Sequence, residues 1–286
     1  AQHVVGARVT GIEVLDSRSL KRNFSGVQGF RDEVLNSTFS SVVRRGKFLW
    51  LPISENRAMV GHLGMSGQIL IRTTNFKPDG QTRVVLSMET VEGESLEMRF
   101  IDQRLFGGLA FEDLVDTQDL GPGGFSPEAA PGNRIPVNVA HIARDLLDPL
   151  FDDQAVVAKM TKKNSGIKRV LLDQNLMSGI GNIYADESLW LAKLHFDQPA
   201  STVRKKKLLE VIQISKEVMA AAVLQGGTSF DEQYKNVNGG SGYFSQSLNA
   251  YGQTGLPCKR CGTPIKRASW ANRGSHFCPR CQKLKI

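Results

Sequence analysis

All four cysteines of the chain fall within its last 29 residues, as Cys258-x2-Cys261, sixteen intervening residues, then Cys278-x2-Cys281. Each Cys-x-x-Cys places two thiolates on a tight knuckle, and the intervening stretch is long enough for a β-hairpin that brings the second knuckle back to the first. The spacing predicts one structural Zn²⁺ held by four sulfurs, with no position left open for catalysis. Two disulfides would use the same residues, but a clustered pair of knuckles with no other cysteine suits a reduced compartment better.

The same 29 residues carry Lys259, Arg260, Lys266, Arg267, Arg273, Arg280, Lys283 and Lys285 and no acid, so their formal charge of +8 equals that of the whole chain. The remaining residues are neutral in sum. Four thiolates around Zn²⁺ would remove about two charges and still leave a basic tip able to displace counterions from nucleic-acid phosphates. A solvated basic tail is the alternative; charges folded around a metal favour the nucleic acid.

With 286 residues and 41% hydrophobic content the chain can bury a sizeable core, most naturally as two domains. No apolar run reaches membrane-spanning length and the N-terminal residues lack a signal-peptide core, so a cytoplasmic protein is expected. Residues 4 to about 111 fall into short pieces rich in β-branched and aromatic residues, such as RVTGIEVLD, SSVVRRGKFLWLPI and TRVVLSMET, separated by Gly, Asn and Asp turns. They predict an antiparallel sandwich or barrel. Residues 121–136 hold four prolines and four glycines and read as a long loop or linker. Helical spacing follows in DDQAVVAKMTKK, GIKRVLLDQNLM, GNIYADESLWLAKL and TVRKKKLLEVIQISKEVMAAAVLQ. The Gly-, Ser- and Asn-rich stretch after Gly226 is either mobile or ordered only around a ligand.

Gly179-Ile-Gly181-Asn182 stands where a helix should open. Two glycines there let backbone N–H groups approach a phosphate, although such a corner can equally be a tight turn. Lys159, Lys162, Lys163, Lys168 and Arg169 lie just before it, so turn and basic side chains could grip one stretch of backbone.

From about His3 to Gln282 these pieces resemble a bacterial formamidopyrimidine-DNA glycosylase. The resemblance is carried by RRGKFLWL at 44–51, HLGMSG at 62–67, DQRLFGG at 102–108, LLDQNLMSGIGNIYADESLW, QGGTSFDEQY with GYF at 242–244, AYG at 250–252 and the four-cysteine finger. It implies an α+β chain: an N-terminal antiparallel β-sandwich domain (1–143, with an incomplete N-terminus and a long loop at 116–137), a helix–two-turns–helix module (144–225), a lesion-recognition loop and connection (226–252) and a zinc β-hairpin finger (253–286). DNA would lie in the basic cleft between the halves.

The implied activity is base-excision repair of duplex DNA containing oxidised purines such as 8-oxoguanine and formamidopyrimidines, with associated apurinic/apyrimidinic lyase activity, by a monomer. Met65, Arg104 and Phe106 match the trio that enters the duplex where the damaged nucleotide leaves it. Lys47 matches a lysine near the lesion's phosphates to which a proton-donor role in β-elimination is assigned, and Arg273 matches the finger arginine linked to δ-elimination. Lys159, Lys163 and Asn182 match phosphate ligands. Gln81 falls where many members place a histidine near DNA, and Tyr243 ends the segment that closes over the flipped base.

Besides Gln81, three further departures accompany the match. Leu105 stands where some relatives have a second arginine, and Ala143-Arg144-Asp145 replaces a Gly-Pro-Glu-like corner. The family's Pro-Glu-Leu-Pro-Glu start, whose proline amine attacks C1′, is absent from a sequence that opens at Ala1. A catalytically inactive, zinc-stabilised damaged-DNA-binding protein is therefore the alternative expectation. A zinc-finger transcription regulator is disfavoured by the attached sandwich.

Overall fold

A computed structural model describes residues 3–77, 79–127, 132–225 and 248–285, which divide into two compact units, 1–141 and 142–286. The first unit holds two antiparallel sheets. Strands β1 (Arg8–Val14), β6 (Thr82–Glu89), β7 (Ser95–Ile101) and β5 (Gln68–Thr73) form one, in that order. The other orders β2 (Val43–Arg45), β3 (Phe48–Pro52), β4 (Arg57–His62), β8 (Gly108–Asp116) and β9 (Arg134–Pro136).

Alternation along β6 sends Val84, Leu86 and Met88 to one buried face. They meet Met98 and Phe100 of β7, Met59 of β4 and Leu109 and Phe111 of β8 in a single core. Helix α1 (Gly26–Val34) adds Phe30 and Val34 to it, with the Phe30 and Phe111 rings 5.1 Å apart. This is the expected sandwich.

One expected strand is a hairpin, and one expected loop hides a strand. SSVVRRGKFLWLPI breaks at Gly46-Lys47 into β2 and β3, with Gly46 in the left-handed region at φ 57°. Lys47 is thus a turn residue and not a strand residue, which frees its side chain from the sheet face. The Pro- and Gly-rich stretch is not all loop either: β9 lies inside it and pairs with β8, Val115 opposite Ile135.

The second unit contains helices α2 (Asp153–Met160), α3 (Ile167–Leu171), α4 (Asn182–Leu191) and α5 (Lys205–Leu224). Asp152 caps α2, its carboxylate accepting the Ala155 N–H at 3.0 Å. Val157, Met160, Leu171, Leu189, Leu208 and Ile212 fill the core between the helices. Strands β10 (Lys266–Trp270) and β11 (Arg273–Phe277) make the hairpin, with Ala268, Trp270 and Phe277 packed on the helical core. No helix among the described residues is long and apolar enough to cross a membrane.

Candidate nucleic-acid interface and zinc centre

In the first unit, one buried carboxylate joins the turn that carries Met65 to the turn that carries Arg104 and Phe106. Asp102, fully buried, follows β7; its Oδ2 accepts the Gly107 N–H at 2.8 Å and its Oδ1 accepts the Arg104 N–H at 3.2 Å and the Ser66 hydroxyl at 2.5 Å. Ser66 Oγ in turn accepts the Arg104 N–H at 3.1 Å. The carboxylate thereby folds residues 103–107 into a loop and pins it to the turn at 63–67. The two turns approach so closely that a Cβ on Gly64, itself at φ 57°, would lie 2.7 Å from the Gly107 nitrogen.

That junction brings the three matched side chains together at the surface. Met65 and Phe106 are about half exposed, at 56% and 49%, which is unusual for large apolar residues held on so rigid a support. Arg104 spans them, with Nη1 3.8 Å from Met65 Sδ and Cζ 5.5 Å from the Phe106 ring centroid. Leu105 takes φ 55°, and its carbonyl accepts Lys21 Nζ at 2.9 Å. Lys47 reaches the same turn, Nζ donating to the Gly64 carbonyl at 3.1 Å. Gln81, at φ 65°, receives the Asp102 N–H on its carbonyl at 3.2 Å and an Arg83 N–H on its side chain at 2.6 Å.

His62 leads into this turn, its ring 4.6 Å from that of Phe48. Burial, then the positive charges of Arg22 and Lys47, pull its pKa down to about 4, so the imidazole is neutral at pH 7. The residues that sequence matching passed over here are Asp102, Ser66, Lys21 and His62. Three of them lie within or directly beside the quoted HLGMSG and DQRLFGG motifs, but nothing in the sequence alone shows that one carboxylate joins the two.

In the second unit, α4 opens after Gly179 (φ 93°) and Gly181, and a Cβ at Gly181 would meet nothing within 4 Å. Asn182 Nδ2 donates to the Gly274 carbonyl at 3.1 Å, which ties the start of the helix to the residue beside Arg273. Arg273 and Lys159 are exposed; Lys163, also exposed, is 3.3 Å from Asp173.

Lys168 departs from expectation. Fully buried, it forms an ion pair with Asp186 at 2.6 Å and donates to Ser275 Oγ at 2.7 Å and to the Gly274 carbonyl at 3.1 Å. It grips the finger and has no reach to a ligand outside. Burial lowers its pKa against the opposing pull of Asp186. Asp186 also accepts the His276 backbone N–H at 2.8 Å. Its neighbour Glu187 accepts the backbone N–H groups of Asn249, Ala250 and Tyr251, at 2.8 to 3.1 Å, and the Asn249 side chain at 3.1 Å. Tyr243 lies outside the described residues, as does most of the proposed lesion-recognition loop.

The ligand sulfurs of Cys258, Cys261, Cys278 and Cys281 lie within 4.8 Å of one another, and Cys261 and Cys278 are 3.5 Å apart. A disulfide requires about 2.05 Å, whereas a tetrahedron with Zn–S bonds of about 2.3 Å sets sulfurs roughly 3.8 Å apart. All four thiols are free. Hydrogen bonds from Thr263 lower Cys261 to about 6, while burial and the neighbouring sulfurs push Cys281 up to about 12. Four thiolates this close require a cation, and the donor set fits Zn²⁺. Trp190 of α4 backs the site, stacked at 3.9 Å by Arg260.

Comparison with known proteins gives matches along most of the chain. Residues 1–109 match the formamidopyrimidine-DNA glycosylase N-terminal domain, residues 142–233 the formamidopyrimidine-DNA glycosylase H2TH domain, and residues 255–284 a zinc finger found in FPG and IleRS. Formamidopyrimidine-DNA glycosylase of Leifsonia xyli subsp. xyli is 50% identical over 286 residues, covering 99% of this chain and 95% of the relative. That of Nocardioides sp. is 45% identical, covering 98% of this chain and 89% of the relative. Among solved structures, the Lactococcus lactis Fpg complex with abasic-site DNA superposes with a TM-score of 0.75 at 25% identity, covering 99% and 94% of the two chains. MutM in complex with carbocyclic 8-oxo-G DNA gives 0.75 at 26%, with the same coverage.

Proposed function

The chain belongs to the formamidopyrimidine-DNA glycosylase family, and from that premise we infer how its own residues serve the removal of oxidised purines from duplex DNA. It is a base-excision-repair glycosylase with one structural zinc, and the family carries associated lyase activity. Solved relatives hold abasic, Fapy-dG and 8-oxo-G DNA, which supports these lesions as the substrates here. A reduced four-cysteine zinc site and a DNA partner support residence in the bacterial cytoplasm.

The observation that carries the assignment of roles is the exposed Met65–Arg104–Phe106 cluster on its pinned turns. Flipping a nucleotide costs a few kcal/mol of stacking and pairing. Met65 and Phe106 offer apolar surface to the vacated step, and Arg104 offers donors to the orphaned base. Because Asp102 fixes both turns beforehand, little ordering is needed when the DNA arrives. Lys47 sits at the edge of the same turn, where its ammonium can hold a phosphate and return a proton during β-elimination. Gln81, on the Asp102 backbone, offers a further polar contact to the DNA. Lys159, Lys163, Asn182 and Arg273 hold phosphates of the strand, Arg273 also assisting δ-elimination.

In the family reaction a secondary amine attacks C1′ and the base departs, leaving an iminium. Loss of a proton then breaks the C3′–O bond, and δ-elimination breaks the C5′–O bond. The family's Pro-Glu start is not in the 286 residues. The test therefore has two arms: borohydride trapping on a duplex with 8-oxoguanine opposite cytosine, by the 286-residue chain and by the chain preceded by that start, with a native-gel lane beside each. The extended chain is expected to give a covalent adduct at its proline. An adduct by the shorter chain, mapped by peptide analysis, would move the attack to Ala1 or a lysine. Selective binding with no adduct in either arm would reduce the protein to a damaged-DNA binder.

A further inference from the structure

Trp270 ends β10 directly opposite Arg273 of β11, so the two side chains leave the same face of the hairpin. The connecting residues Ala271 and Asn272 have left-handed backbones, φ 45° and 59°, the geometry of a tight two-residue turn. Two cations from α3 approach the indole. Lys168 Nζ lies 4.9 Å from its ring and Arg169 Cζ 5.8 Å away, both within the range in which an aromatic face attracts a positive charge.

The two cations have different fates. Lys168 is buried and committed to Asp186. Arg169 is exposed and, among the described residues, has no acidic partner. It borders a hollow of about 440 Å³ that is also lined by Lys163, Ser165, Asp173 and Trp270. Asp173 is the acid in that lining, and its charge is answered by Lys163 at 3.3 Å. What remains is the positive charge of Arg169, a hydroxyl at Ser165 and an indole wall that keeps water from one side. A guanidinium fork suits a phosphate geometrically, and the hollow is in the size range of small-ligand sites.

We propose that this hollow takes a further phosphodiester group of the DNA strand bound at Arg273, with Arg169 as its cation and Trp270 as the platform that aligns the guanidinium. The inference rests on the DNA reading above. It makes Trp270 more than packing: the ring orders a cation that the buried Lys168 could not supply.

Salt-dependent binding to an undamaged duplex tests it, because each phosphate contact adds about 0.9 to the slope of log affinity against log salt. Arg169→Ala is expected to weaken binding roughly three- to ten-fold and make the slope shallower by about one. Trp270→Ala should do the same, Trp270→Phe should retain most of the affinity, and Arg169→Ala with Trp270→Ala together should lose little more than either alone, with one zinc per chain throughout. An unchanged slope in Arg169→Ala overturns the proposal, as does full additivity of the two alanine changes. If Trp270→Ala fails to retain zinc, Arg169→Ala decides alone. Arg273→Ala separates the two levels: a shallower slope there beside an unaltered Arg169→Ala removes only this site, whereas wild-type protein that does not bind removes the DNA reading with it.

Discussion

Asp102 is the residue on which the first unit's site depends. Its carboxylate satisfies the Gly107 and Arg104 N–H groups and the Ser66 hydroxyl in a place closed to water. Asp102→Ala would leave those donors unpaired, at about 2–3 kcal/mol. Urea unfolding should register that loss, and excision of 8-oxoguanine by the chain preceded by the Pro-Glu start should fall further than binding, since Met65, Arg104 and Phe106 would no longer be held in place. Asp102→Asn, which keeps the shape and one acceptor, should recover part of the stability.

His62 makes a separate residue-scale prediction. Its pKa is lowered from about 6.5 to about 4, so the unfolded chain binds the proton more readily than the folded one. Its contribution to stability is complete above about pH 6.5 and is lost as pH falls toward 4. The urea midpoint should drop across that window, and His62→Phe should flatten the drop; an identical pH profile in the variant would show that the titrating group lies elsewhere. Residue types at these positions were readable in the sequence, since HLGMSG and DQRLFGG display Met65, Arg104 and Phe106 openly. The carboxylate bridge was not, because Ser66 and Asp102 are 36 positions apart and either could serve an ordinary turn.

At the scale of elements, the finger is joined to α3 and α4 through buried charge and not through apolar surface alone. Lys168, Asp186 and Asn182 all reach the residues from Gly274 to His276. A run of basic residues ahead of Gly179 suggests a solvated phosphate grip, but helical phase turns Lys168 inward while Arg169 stays outside. Sequence pattern cannot assign the phase of a five-residue helix, which is too short to show a repeat. Breaking this pair leaves one buried charge alone: Lys168→Met should cost roughly 3–5 kcal/mol. Elemental analysis should still find zinc, because the thiolates are untouched, while the Arg273 contribution to DNA binding weakens. The zinc itself is tested by chelation, which should disorder β10 and β11, abolish DNA binding and leave the sheets of the first unit intact by circular dichroism.

For the molecule as a whole, the two units have separate cores, one between two sheets and α1 and the other among four helices and the hairpin. Heating with and without a chelator should therefore move one transition and spare another, whereas a single transition that shifts entire would show that the cores unfold as one. The division into strand-rich and helix-rich halves was legible because their hydrophobic periods differ, two against three to four. The hairpin breaks at Gly46-Lys47 and the strand hidden among the prolines at 134–136 were not, since pairing partners, and not local propensity, define them. Glu187 carries a further consequence. By gathering the N–H groups of residues 249–251 it fixes the chain's re-entry beside α4, while α5 fixes its exit at Leu224. Because both flanking points are held by the bundle itself, exchanging residues 226–247 for a sequence of another length or composition should leave zinc content and thermal unfolding of the second unit unchanged.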